Sequence, residues 1–159
     1  MDTAQAAMKT GAKPALSLTG RALRLLGTRE HSRAELERKL APHAEEEGAV
    51  AKVLDALQAK GFINETRVLE SVVHRRAHKL GASRIKQELQ AKGLEPAAVA
   101  EAVQALRASE LDRAREIWRK KFGQPPVDAA ERGKQMRFLA SRGFGGDTIR
   151  KVVSGADED

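Results

Sequence analysis

From Leu18 to Val153 the apolar residues recur three and four positions apart with almost no interruption, the period of helices that turn one face to a core. No stretch alternates apolar with polar residues as a half-buried strand does. The pattern predicts an all-α chain of about nine helices. Starting and stopping residues divide it. The first helix runs roughly from Ser17 to Leu26 and ends at Gly27. The second opens at Ser32, where Ser32 and Glu35 have the spacing of a capping box, buries Leu36 and Leu40, and stops at Pro42. The third carries Val50, Val53, Leu54 and Leu57 and ends at Lys60-Gly61-Phe62. Asn64 caps the fourth, which carries Val68, Val72 and Leu80 and closes at Gly81. The fifth holds Ile85 and Leu89 and ends at Lys92-Gly93-Leu94, and Pro96 opens the sixth, with Val99, Val103 and Leu106. Ser109 and Asp112 form the capping pair of the seventh, which carries Leu111, Ala114, Trp118 and Phe122 before Gly123 and Pro125-Pro126 break the chain. Met136 and Leu139 mark the eighth helix, and Ile149, Val152 and Val153 the ninth.

The same pattern repeats within the chain. Leu89, Gly93, Leu94, Val99 and Val103 superpose without a gap on Leu139, Gly143, Phe144, Ile149 and Val153. Glu35-Leu36 and Lys39-Leu40 match Glu88-Leu89 and Lys92-Gly93 if the first copy carries a longer loop, Ala41 to Gly48. Each copy is three helices long. Such a unit buries one face poorly alone, so three copies in tandem share a core. The glycines at the repeated junctions suit a left-handed residue after a helix end, with Phe62, Leu94 and Phe144 folding back onto the last turn. The expected divisions are a flexible tail over 1–17, repeats over 18–63, 64–107 and 108–154, and an acidic tail over 155–159.

Composition narrows the reading further. Of 159 residues, aromatics are 3%, and helix-forming Ala, Leu, Arg, Glu, Lys and Gln predominate, which argues against a sandwich or barrel. No cysteine occurs, which excludes disulfides, thiol nucleophiles and thiolate metal sites and fits a reducing, cytoplasmic setting. No run approaches the roughly 20 apolar residues of a membrane span, and no secretory leader is evident in Met1 to Pro14. With no long apolar seam left over, a monomer is the default.

The residue types of common catalytic sites are present, but not in catalytic arrangements. His74 and His78 stand four apart with Glu70 one turn earlier, but the order is not that of a zinc-binding helix, and Arg75, Arg76 and Lys79 crowd the same stretch, so no metal site is assigned. Surface roles suffice for His31 and His43. No nucleophile elbow and no phosphate loop occurs, although Arg142 to Asp147 is glycine-rich ahead of a helix. The run Glu45-Glu46-Glu47 precedes a helix, where its dipole favours negative charge. No catalytic residue and no cofactor are assigned, and a binding or regulatory role is expected rather than an enzyme.

Charge points to the ligand. The chain carries a net charge of +7. Residues 18–63 hold 8 basic and 7 acidic residues, whereas 64–154 hold 19 and 11, so the excess lies in the second and third copies. A ridge or groove of that charge follows a phosphate backbone. Paired helix surface, such as Glu116 with Lys120, is the plainer alternative.

Three segments carry a more specific pattern. The first is Leu25-Leu26, Arg29, Ser32, Glu35-Leu36 and Lys39-Leu40. The second runs from Leu57, Gly61, Phe62-Ile63 and Arg67 through Arg75-Arg76, Gly81, Arg84-Ile85, Glu88-Leu89 and Lys92-Gly93-Leu94. The third is Arg137-Phe138-Leu139, Arg142-Gly143-Phe144 and Ile149. Together they resemble the RecX family of bacterial regulatory proteins, which restrain the RecA recombinase. The acidic pair and aromatic usual after the Gly-Phe-Ile turn are replaced here by Asn64-Glu65 and Val68. The resemblance implies three three-helix repeats in an elongated, curved array that lodges in the groove of a RecA filament on single-stranded DNA. It further implies inhibition of RecA ATP hydrolysis, strand exchange and coprotease activity, and a place in DNA repair, recombination and the SOS response. The expected partners are the RecA filament and single-stranded DNA, then double-stranded DNA, with no membrane. The residues expected to contact phosphates or acidic RecA surfaces are Arg75, Arg76, Lys79, Arg84, Lys86, Lys120, Lys121, Arg137 and Arg142. The competing readings are a helical protein that binds DNA without sequence preference and without RecA, and a helical scaffold for another protein.

Overall fold

The computed structural model describes residues 16–155, and nine α-helices and no strand occur among them. The expected tails lie outside the described residues except for Leu16, Ser17 and Gly155. Ser17 belongs to the fold: its side chain accepts a hydrogen bond from the Gly20 amide and caps the first helix.

The first repeat contains α1 (Leu18–Leu26), α2 (Arg33–Leu40), a 3-10 turn (Ala41–His43) and α3 (Ala49–Ala59). Its core is Ala22, Leu36, Leu40, Leu54, Leu57 and Ile63. The capping box at α2 forms as the spacing predicts: Ser32 Oγ accepts from the Glu35 amide, and Glu35 Oε1 accepts from the Ser32 amide at 3.0 Å. His31 is a correction. It is 1% exposed rather than on the surface, with Nδ1 donating to the Arg29 carbonyl at 3.0 Å and Nε2 facing Lys39 Nζ at 3.3 Å. With a carbonyl on one nitrogen and an ammonium on the other, the ring is neutral, and burial pushes its pKa below 6.5.

The second repeat contains α4 (Glu65–Arg76), α5 (Ala82–Ala91) and α6 (Pro96–Ala108), around Val68, Val72, Ile85, Leu89, Val99 and Val103. The third contains α7 (Glu110–Lys121), α8 (Ala129–Ser141) and α9 (Gly146–Ser154), around Ala114, Leu139, Phe144, Ile149, Val152 and Val153. Every apolar residue paired by the internal comparison of these two repeats is buried in both. The glycines behind α3, α5 and α8 have φ of 83°, 68° and 91°, the left-handed conformation expected of them. Leu94 and Phe144 fold into their cores, but Phe62 is 47% exposed and Ile63 takes the buried place instead.

Two further expectations change. Ser109 does not cap α7 with its side chain. Its Oγ donates to the Leu106 carbonyl and accepts from Arg113 Nε. Gly81 does not close α4, which ends at Arg76. It has an extended backbone at the start of α5, and a Cβ there would stand 2.6 Å from the Phe144 amide nitrogen and overlap the Gly143 carbonyl. Gly81 is needed for the close approach of two backbones.

That approach joins the second and third repeats. The Gly81 amide donates to the Arg142 carbonyl at 2.7 Å, and Arg84 Nη1 donates to the Ser141 carbonyl at 2.7 Å. From α7, Glu110 accepts from the Ala82 amide, and Arg113 donates to the Ala77, Leu80 and Leu106 carbonyls. Burial lowers the Arg113 pKa from its ordinary value, yet a guanidinium stays protonated there. The described residues from Glu65 onward accordingly form one compact unit, and those up to Asn64 another.

Candidate functional site

The site lies within the second unit, where the ends of three helices meet. α4 ends at Arg76 and runs into the turn carrying His78, Lys79 and Leu80. α7 ends with Lys120 and Lys121, and α8 ends beside Phe138 and Arg142. With Ile117 these residues line a groove of about 470 Å³. Its lining has five cations and no carboxylate, and Leu80, Ile117 and Phe138 supply its apolar part.

Basic residues at helix C-termini have a structural explanation, since each terminus carries roughly half a negative charge. The magnitudes decide whether it suffices. Three termini contribute about −1.5. Glu88 pairs with Arg76 at 3.0 Å, and Glu116 approaches Lys120 at 3.8 Å. Counting both carboxylates against the five cations leaves the groove positive by roughly 1.5 charges. Helix dipoles and these pairs therefore do not account for the whole cluster.

Phe138 orders part of that charge. The Arg142 guanidinium lies 4.8 Å from the ring centroid and Lys121 Nζ 5.5 Å from it. Phe122 meets the same ring edge-on, with centroids 5.4 Å apart and planes at 89°.

Of the nine basic residues expected at the interface, the groove gathers Arg76, Lys79, Lys120, Lys121 and Arg142. The other four lie elsewhere. Arg75 is exposed on α4 and does not line the groove. Arg84 is used in the junction of the two repeats. Lys86 lines a separate groove, with Arg107, over Leu94, Val99 and Val103. Arg137 lies back along its own helix over Gly133. Sequence reasoning missed Phe138, Ile117, Leu80 and His78 as groove residues. The available signal was Phe138 four residues before Arg142, a spacing that puts both on one helical face. In the glycine-rich stretch from Arg142, the Gly143 and Phe144 amides are already engaged, donating to the Ala140 and Leu139 carbonyls. Among the described residues no three His, Asp or Glu side chains are placed to hold a cation, and His74 and His78 are exposed.

Comparison with known proteins places this architecture. The first, second and third three-helix domains of RecX match residues 20–57, 64–103 and 108–153 in that order. The regulatory protein RecX of Leptothrix cholodnii is 56% identical over 147 residues, 92% of this chain and 94% of that one. The chain belongs to the RecX family. The regulatory protein RecX of Ralstonia nicotianae is 49% identical over 142 residues, 89% of each chain. The crystal structure of RecX from Lactobacillus salivarius has a TM-score of 0.69 at 20% identity, covering 88% of this chain and 94% of that one, and so shares the fold. The RecX family consists of regulatory proteins rather than enzymes. No helix among the described residues is long and apolar enough to cross a membrane.

Proposed function

We propose that this RecX-family chain restrains the RecA recombinase by lodging in the groove of the RecA filament on single-stranded DNA, in the cytoplasm, as a monomer. There it inhibits ATP hydrolysis, strand exchange and coprotease activity, and so acts in DNA repair, recombination and the SOS response. Family membership supports the partner. The observation that carries the mode of action is the groove at the ends of α4, α7 and α8, with five cations and no carboxylate in its lining. A nucleoprotein filament presents a continuous line of phosphate beside protein surface, and a rigid basic groove binds such a line by displacing its counterions. Occupancy of the filament groove then opposes the subunit movements that hydrolysis and strand exchange require.

The test is RecA ATP hydrolysis on single-stranded DNA, titrated with this protein, beside a binding curve for naked DNA. The expected result is inhibition well below one copy per RecA, at concentrations too low to coat the free strand. Charge reversal of Lys120, Lys121 and Arg142 together should raise the concentration needed by at least about tenfold. Unchanged inhibition by that variant at low salt would remove the groove from the mechanism. Because the groove lining is basic, binding to DNA without RecA is the second reading. Salt-sensitive binding to naked DNA with no effect on RecA would put it first.

A further inference from the structure

A separate groove lies within the third repeat, beside the end of α9. It measures about 370 Å³ and is lined by Arg115, Trp118 and Arg119 of α7, by Pro125, and by Val152 and Gly155 at the end of α9. Its lining holds two guanidinium groups and, among the described residues, no carboxylate. It shares no residue with the groove at the ends of α4, α7 and α8. Trp118 is the one tryptophan of the sequence, half-buried, with Nε1 donating to Gln135 Oε1 at 2.8 Å.

Both arginines have acidic neighbours on their own helix. Arg115 approaches Asp112 at 3.6 Å and Arg119 pairs with Glu116 at 3.1 Å, but those carboxylates are 86% and 54% exposed. Exposed pairs three residues apart hold weakly and rearrange readily. A guanidinium has five N–H donors, and one solvated carboxylate does not engage them all.

The sequence supplies further acceptors at the edge of the groove. Gly155 closes α9 with a φ of 67°, and the next four residues are Ala156, Asp157, Glu158 and Asp159, three carboxylates and no base. The C-terminal end of a helix carries roughly half a negative charge, which disfavours carboxylates directly beyond it. In the last turn of α9 only Lys151 offsets that charge. Arg115 and Arg119 are additional cations within reach, because four extended residues span up to about 13 Å. The spacing also matches. Residues four apart on a helix are about 6 Å apart along its axis, and alternate residues of an extended segment are about 6.6 Å apart on one side.

We infer that the groove of Arg115, Trp118 and Arg119 is a site for an acidic peptide and that its occupant is the chain's own segment 156–159. The Asp157 and Asp159 carboxylates accept from the two guanidinium groups, and Glu158 turns to solvent. While this segment is docked, neither the arginines nor Trp118 is open to an acidic segment of another protein. The inference rests neither on RecA nor on DNA.

The experiment is acrylamide quenching of Trp118 fluorescence in the full chain at low salt. Asp157→Asn with Asp159→Asn should raise the quenching constant, since loss of two surface ion pairs lowers the docked-to-free ratio by roughly two- to thirtyfold. Salt at about 0.5 M should raise it in the wild type and change the double variant little. Glu158→Gln should leave it at the wild-type value. These substitutions lie beyond α9, and circular dichroism verifies that helix content is unchanged. The peptide acetyl-Ala-Asp-Glu-Asp-amide should protect Trp118 in the double variant and bind the wild type at least about threefold more weakly, because the tethered segment competes at an effective concentration in the millimolar range.

A quenching constant unchanged by Asp157→Asn with Asp159→Asn would overturn the inference, as would an equal rise with Glu158→Gln alone. Equal affinity of the peptide for wild type and double variant would show that the segment does not occupy the groove. Protection in the wild type that fades on about tenfold dilution would also overturn it, since the segment of a second copy would then be the occupant.

Discussion

His31 shows how much one residue depends on what surrounds it. As one of four histidines it reads as surface, yet the fold removes it from water between the Arg29 carbonyl and Lys39 Nζ. Burial, with the charges of Arg29 and Lys39, disfavours the imidazolium, and its pKa falls below 6.5. In the unfolded chain the same side chain protonates near its ordinary value, so the unfolded state binds more protons between the two pKa values. The stabilising contribution of neutral His31 is therefore complete above about pH 6.5 and is lost as pH falls through the window beneath it. Urea unfolding at pH 7.5 and pH 5.5 should show the wild type losing more stability than His31→Gln, at no more than about 1.4 kcal/mol per pH unit. Equal losses in the two proteins would show that another group carries the acid sensitivity. Phe138 has two roles at once: it packs against the third core, and its ring holds two cations of the groove.

At the scale of the elements, most of the fold was legible. Helix period, the Ser32 capping box, Pro96 at the start of α6 and the glycines behind α3, α5 and α8 act within a turn or two of their own positions. The local readings that failed are those decided by another element. Gly81 looks like a helix terminator, but its backbone lies against that of Gly143 and Phe144. Ser109 has the spacing of a cap, but its side chain is engaged by Arg113, whose guanidinium gathers the carbonyls of Ala77, Leu80 and Leu106. Gly81→Ala is expected to destabilise the second unit by roughly 1–3 kcal/mol in urea unfolding, because the new methyl meets backbone rather than a movable side chain. Gly145→Ala, where a Cβ meets nothing within 4 Å and the backbone is extended, should cost far less. Similar losses at both positions would contradict the close approach as the reason for glycine at 81.

At the scale of the whole molecule, the charge asymmetry is plain in the sequence, and its focus is not. Residues 64–154 hold the basic excess, but the five cations of the groove come from positions 76, 79, 120, 121 and 142, three separate stretches of chain. Each groove cation that meets a phosphate should add about 0.7 to the slope of log Kd against log salt for single-stranded DNA. Lys120→Ala with Lys121→Ala should thus lower that slope by about 1.4, whereas Arg137→Ala, outside the groove, should leave it unchanged. Equal changes in both proteins would mean that diffuse charge, not the groove, meets the strand.

The sequence by itself determined the helices, their threefold recurrence, most residues of each core and the half of the chain that carries the positive charge. These follow from apolar periodicity, local backbone preference and composition, which operate over a few residues or over none in particular. Tertiary structure alone decided which basic residues share a groove, which become structural ties and which histidine loses water. The reason is distance along the chain. Arg84 became a tie because α5 starts against the end of α8, and Arg142 became a groove residue because α4 and α7 end beside it.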